Sequence, residues 1–129
     1  MRETIHADIV SRIAAFGDAV VIGGEQRLLL SSGIPGFEED GSLSSDFHRQ
    51  AERAWANVAT VLRGAGMSLD AIIRVTHLLV QRENLPEYRD ICRTALGECR
   101  PASTLFFVAA LPLPAMLIEL QVEAALANG

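Results

Sequence analysis

Two short runs, Leu28-Leu29-Leu30 and Leu105-Phe106-Phe107-Val108, are apolar at every position. Successive side chains of a strand point to opposite faces, so such runs need cover on both. Cover on one face comes from two helical segments. In the first, Ala51, Ala54, Trp55, Val58, Val61 and Leu62 recur at helical spacing, with Glu52, Arg53, Asn57 and Arg63 on the other side. Ser44, Ser45 or Asp46 can accept from its first free amides, and Gly64 and Gly66 can take the left-handed conformation that ends it. The second starts near Pro86, suited to a first turn, and runs through Tyr88, Ile91, Cys92, Ala95 and Leu96 to Gly97.

The remaining apolar segments read as strands. Residues 19–22 and 28–32 flank Gly23-Gly24-Glu25-Gln26-Arg27, a hairpin signal, and residues 35–42 form an exposed loop rich in glycine and acid. Residues 72–80, rich in branched side chains, predict a central strand. Two more follow at 104–111 and 116–125, separated by Pro112-Leu113-Pro114. In the last, Glu119, Gln121 and Glu123 alternate with Leu120, Val122 and Ala124, giving one wetter face. The order ββαβαββ predicts an α+β domain spanning residues 1–129, with a mixed sheet and both helices on one face. The all-apolar strands then require the open face to pack on another subunit.

Composition narrows the function. With 129 residues, half of them hydrophobic, a chain of this size buries roughly two-thirds of its unfolded surface. That leaves little room for a deep private cavity, so a sizeable pocket is expected to need a second subunit. Eleven basic against sixteen acidic residues give a net charge of −5, without the basic stripe of a nucleic-acid binder. The strongest apolar stretches are broken by Pro112, Pro114 and Glu119 and fall short of the ~20 residues that span a bilayer. No apolar stretch of signal-peptide length opens the chain, which reads as soluble and cytoplasmic. Cys92 and Cys99 match neither a redox pair nor a zinc knuckle, and are expected as free thiols. His6, His48 and His77 lack metal-ligand spacing, so neither metal nor cofactor is expected. Cys92 reads as buried and inert, His77 as a core or interface histidine, and Trp55 as the anchor of its helix. At least one of Phe106 and Phe107 must enter the core.

Several blocks carry a resemblance. Ser32-Gly33 closes the second strand, Gly64-Ala65-Gly66 ends the first helix, and Leu69-Asp70-Ala71-Ile72-Ile73-Arg74-Val75 leads into the central strand. Arg100-Pro101-Ala102-Ser103-Thr104, Val108-Ala109-Ala110-Leu111-Pro112 and Ile118-Glu119-Leu120 follow. Together they resemble the reactive intermediate deaminase family, Rid or YjgF, from Gly17 onward. The resemblance implies a chorismate-mutase-like fold and a homotrimer with a small-molecule cleft at each subunit interface. It further implies hydrolysis of enamines and imines, such as 2-aminoacrylate, to a keto acid and ammonia.

Archetypal members place an arginine after Pro-Ala on the penultimate strand, to hold the substrate carboxylate in two hydrogen bonds. Here that position is Ser103. The family tyrosine aligns with Ala19, and the strand serine is kept as Ser32, followed by Gly33. The second glutamate of a Glu-x-Glu pair becomes Gln121 after Glu119. A glutamine can hold water but is a poor proton acceptor. The resemblance thus assigns Gln121 and Ser103 to catalysis and Ser32, Gly33, Arg89, Leu105, Ala19 and Glu119 to substrate binding. Arg89 aligns with the family's helix asparagine. It either returns a guanidinium to the cleft from the helix or solvates a face beside Glu87 or Glu98. Arg100 is a weaker substitute, on the opposite face from Ser103 if the strand begins that early. A non-catalytic trimeric binding protein is the alternative that the missing charged groups suggest.

Overall fold

The computed structural model describes residues 1–13 and 17–128. Its strands and helices run β1 (Arg2–Ile5), β2 (Ala19–Ile22), β3 (Gln26–Leu30), β4 (Ile34–Pro35), α1 (Phe47–Gly64), β5 (Ile72–Leu79), α2 (Leu85–Leu96), β6 (Ala102–Phe107) and β7 (Ile118–Ala127). The main sheet has the order β3-β7-β5-β6, with β4 also paired to β7. Among the described residues only β5 and β6 run parallel, and the other pairings are antiparallel. The sheet is therefore mixed, as a crossover through α2 requires for β5 and β6.

Burial follows the alternation of each strand. Val75, His77 and Leu79 of β5 and Ile118, Leu120, Val122 and Ala124 of β7 are buried. They form the floor on which Ala51, Ala54, Trp55, Val58 and Leu62 of α1 and Tyr88, Ile91, Cys92 and Leu96 of α2 pack. Both helices cover one face. The opposite face carries Arg74 and Glu123, paired at 3.0 Å, with Gln121 opposite Thr76. Leu28, Leu30 and Phe106 remain 63%, 74% and 53% exposed, while Leu29, Leu105 and Phe107 pack against the core. The all-apolar runs thus send one set of side chains inward and leave the other uncovered.

Asp46 caps α1 by accepting from the Arg49 amide. Among the glycines expected to end that helix, Gly64 is still helical, and Gly66 takes the positive φ of 73°. Gly97 does the same beyond α2, at φ 58°. Gln50 is fully buried and ties α1 to the approach to β7. Its amide nitrogen donates to the Ser44 and Ala115 carbonyls at 2.8 and 3.0 Å, and its oxygen accepts from the Leu117 amide at 2.6 Å.

The expected N-terminal hairpin does not form. β2 pairs instead with β1, a strand with no apolar alternation to announce it, in a separate two-stranded sheet. β3 takes the sheet edge beside β7. Local turn signals favour pairing sequence neighbours, but β7 offers β3 a long apolar partner, and tertiary pairing prevails. Several boundaries also move: the strand expected at 28–32 is Gln26–Leu30, and Pro35, expected in the exposed loop, pairs with β7 as part of β4 while Gly36 is buried. The strand expected at 104–111 is Ala102–Phe107, and the one expected to start at 116 starts at Ile118. No helix among the described residues is long and apolar enough to cross a membrane.

Candidate active site

One side of α2 carries Leu85, Tyr88, Arg89, Cys92, Arg93 and Leu96, a stripe of three- and four-residue steps. It faces Ser103, Leu105 and Phe107, the inward set of β6. Between them lies a cavity of about 530 Å³, whose lining also includes Arg100 and His77. One chain supplies all of these walls. The space arises because β6 is the sheet's edge strand and α2 crosses above it.

At the cavity floor three polar side chains are linked. The Tyr88 hydroxyl lies 2.5 Å from His77 Nδ1, and His77 Nε2 lies 2.8 Å from Ser103 Oγ. Tyr88 and His77 are each 1% exposed. The His77 ring also stands edge-on to the Tyr88 ring and tilted against Trp55, with centroids 5.4 and 6.2 Å away. Burial lowers the His77 pKa to about 3, so the imidazole is neutral throughout the physiological range. Burial likewise raises Tyr88 well above the usual phenol value and pushes the Cys92 thiol up to about 12. That agrees with an inert Cys92. The indole N–H of Trp55 finds no hydrogen-bond partner among the described residues. It lies near the Tyr88 hydroxyl and offsets part of the rise in its pKa.

Positive charge lines the rim. Arg93 pairs with Asp90 at 3.1 Å, and the Arg100 guanidinium donates to the Gly97 and Cys99 carbonyls. Arg100 precedes β6, so strand alternation does not turn it away from the cavity. Arg89 is exposed at the wall and forms no ion pair with Glu87 or Glu98 among the described residues. Glu87 instead engages His48 at 2.9 Å. No carboxylate is among the lining residues. The cavity can therefore hold an organic anion, with apolar walls at Leu85, Leu96, Leu105 and Phe107 and a neutral hydroxyl at its floor.

A single chain thus gathers Ser103, Leu105 and Arg89, but not the other expected residues. Glu119 and Gln121 belong to the opposite strand alternation from buried Leu120 and Val122. Gly33 sits against Glu119, where any Cβ would fall on the carboxylate. Ser32 is exposed, as is Ala19 on β2. None of these five lines the cavity. Conversely, His77 and Tyr88 are the residues that sequence reasoning passed over. The available signal was a histidine on the buried alternation of a central strand, which needs polar partners.

This fold has many relatives. The family model for endoribonuclease L-PSP matches residues 8–126. The chain belongs to that family, known also as Rid or YjgF. A Rid family protein of unknown function from Yersinia pestis, YyfB, is 28% identical, with a TM-score of 0.83 over 97% of this chain and 98% of that one. A structure described as a putative endoribonuclease L-PSP from Entamoeba histolytica is 26% identical, with a TM-score of 0.73 over 95% and 94%. A RutC family protein of Pyrococcus abyssi is 26% identical over 84% of both chains.

Proposed function

We propose that this chain, a single domain over residues 1–129, assembles as a homotrimer and hydrolyses an imine or enamine of a small organic acid. Water adds to the carbon of the C=N bond, the nitrogen takes up protons, and ammonia leaves a carbonyl compound behind. The observation that carries this reading is the cavity between α2 and β6, where Ser103 meets Arg89 across apolar walls. Ser103 and Arg89 hold the substrate's polar and anionic ends. Gln121, on the open sheet face, reaches the completed cleft from a neighbouring subunit and orients the water, with Ser32, Gly33 and Glu119 shaping its edge. The exposed Leu28, Leu30 and Phe106 supply the apolar contact for assembly. We take the site of action to be cytoplasmic. The test is a coupled assay generating 2-aminoacrylate: faster pyruvate release than in buffer supports the reading, and equal release removes 2-aminoacrylate as substrate.

One observation favours a second reading, a binding protein without turnover. No carboxylate lines the cavity, so a single chain offers no strong proton acceptor beside Ser103. Thermal stabilisation by keto acids without hydrolysis of any imine distinguishes this case. RNA is not part of either reading, since the net charge of −5 opposes phosphate-driven binding.

A further inference from the structure

Resting on the reading of the cavity as an organic-acid site, the linked side chains at its floor carry a finer inference about what that site accepts. Hydrogen bonds have direction, and here each link can be assigned. The Tyr88 hydroxyl has one proton to give. Its contact with His77 Nδ1 pairs a phenol O–H, the more acidic donor, with a ring nitrogen, the better acceptor, so the hydroxyl donates and the nitrogen accepts. Of the other groups beside Tyr88, the Trp55 indole can only donate, and the Cys92 thiol remains protonated and is a weak acceptor compared with a ring nitrogen. The phenol proton therefore goes to Nδ1. A neutral imidazole carries a single proton, which then sits on Nε2 and is donated to Ser103 Oγ at 2.8 Å. Ser103 spends an oxygen lone pair on that contact and keeps its own O–H for the cavity.

We infer that Tyr88, His77 and Ser103 form a one-way donor chain whose last hydroxyl reads the ligand: the cavity takes an acceptor oxygen, carbonyl or carboxylate, at Ser103. Ser103 is correspondingly a binding donor and not a nucleophile, because the nitrogen facing it already carries a proton and cannot take another from the hydroxyl. Each bond in such a chain polarises the next, which strengthens a neutral hydroxyl placed where the archetypal family arginine would stand. Tyr88 and His77 act through Ser103 and are positioning residues.

The deciding experiment is a long-range proton–nitrogen correlation spectrum of the full chain labelled with 15N-histidine. His77 is assigned by subtraction, using His6→Gln and His48→Gln, two exposed positions outside the cavity. The Nε2–H pattern for His77 is expected. A Nδ1–H or doubly protonated pattern overturns the chain, since Ser103 would then donate to the ring or face an imidazolium. A second arm compares two probes, phenylpyruvate and 2-phenylethylamine, whose polar ends offer acceptors and only donors respectively. Phenylpyruvate is expected to bind the wild type in preference to the amine, and to lose about five- to tenfold in affinity with Ser103→Ala. Tyr88→Phe, which frees Nδ1 to take the proton, is expected to cause a loss in the same direction. Equal binding of both probes overturns the assigned specificity. An Nε2–H pattern with no phenylpyruvate binding leaves the donor chain standing and removes the organic-acid reading.

Discussion

Neutralising position 77 offers a quantitative test of the buried network. In the unfolded chain His77 titrates near 6.5, while burial holds it near 3 in the folded protein. Between those values the unfolded state binds the extra proton, so stability falls as pH drops through that window and is unaffected above it. Each unit of pKa difference is worth about 1.4 kcal/mol, so lowering the pH from 7.5 to 5.5 costs ~1.4 kcal/mol through this one group and lowering it to 4.5 costs ~2.7 kcal/mol. Other groups act alongside. His48, raised by Glu87, contributes stability below its ordinary value that is lost as pH rises through its raised one. Glu38 and Asp40, lowered by Arg49 and Ser42, contribute stability that is lost only at more acid pH. Comparing wild type with His77→Gln at one protein concentration cancels these. Urea unfolding at pH 7.5, 6.5, 5.5 and 4.5 is the assay. The variant starts less stable because it breaks the contacts to Tyr88 and Ser103, but the gap between the proteins should shrink by about 1.4 and then ~2.7 kcal/mol. A gap that stays constant across the range would refute the assignment of His77 as a buried neutral imidazole.

Further predictions follow from single features of the fold. Gln50→Leu strands the carbonyls of Ser44 and Ala115 and the Leu117 amide, and should cost about 2–4 kcal/mol in chemical denaturation. Gly36→Ala drives a Cβ onto the Gln50 carbonyl and should abolish soluble folded protein, read by circular dichroism. Asp46→Ala removes the α1 cap and should lower stability by about 1 kcal/mol with no change in fold. Leu28→Glu with Leu30→Glu places charge on the uncovered sheet face. In light scattering it should turn the proposed trimer into monomers while leaving the circular dichroism of each chain intact.

Local burial patterns explain which parts of this architecture could be read in advance. α1 and α2 were visible because Ala51, Ala54, Trp55 and Val58, or Tyr88, Ile91 and Cys92, repeat within one or two turns. β5 is legible from its branched side chains and β7 from an alternation complete within ten residues. Pairing is different: β2 sits against β1 and β3 against β7, choices decided by distant chain that no neighbouring turn encodes. The site divides in the same way. The family resemblance marks Ser103, Leu105 and Arg89, which share a cavity. It could not mark His77 and Tyr88, which meet only once α2 folds back over β5. Within one chain Glu119 and Gln121 do not join Ser103, because strand alternation turns them to the other face of the sheet.

A crystal structure of the protein grown with phenylpyruvate tests the assignment of the α2–β6 cavity most directly. The account predicts the ligand between Leu85 and Leu105, an oxygen within hydrogen-bond reach of Ser103 Oγ and the carboxylate against Arg89. A ligand seated elsewhere, or an empty cavity at saturating concentration, would contradict it.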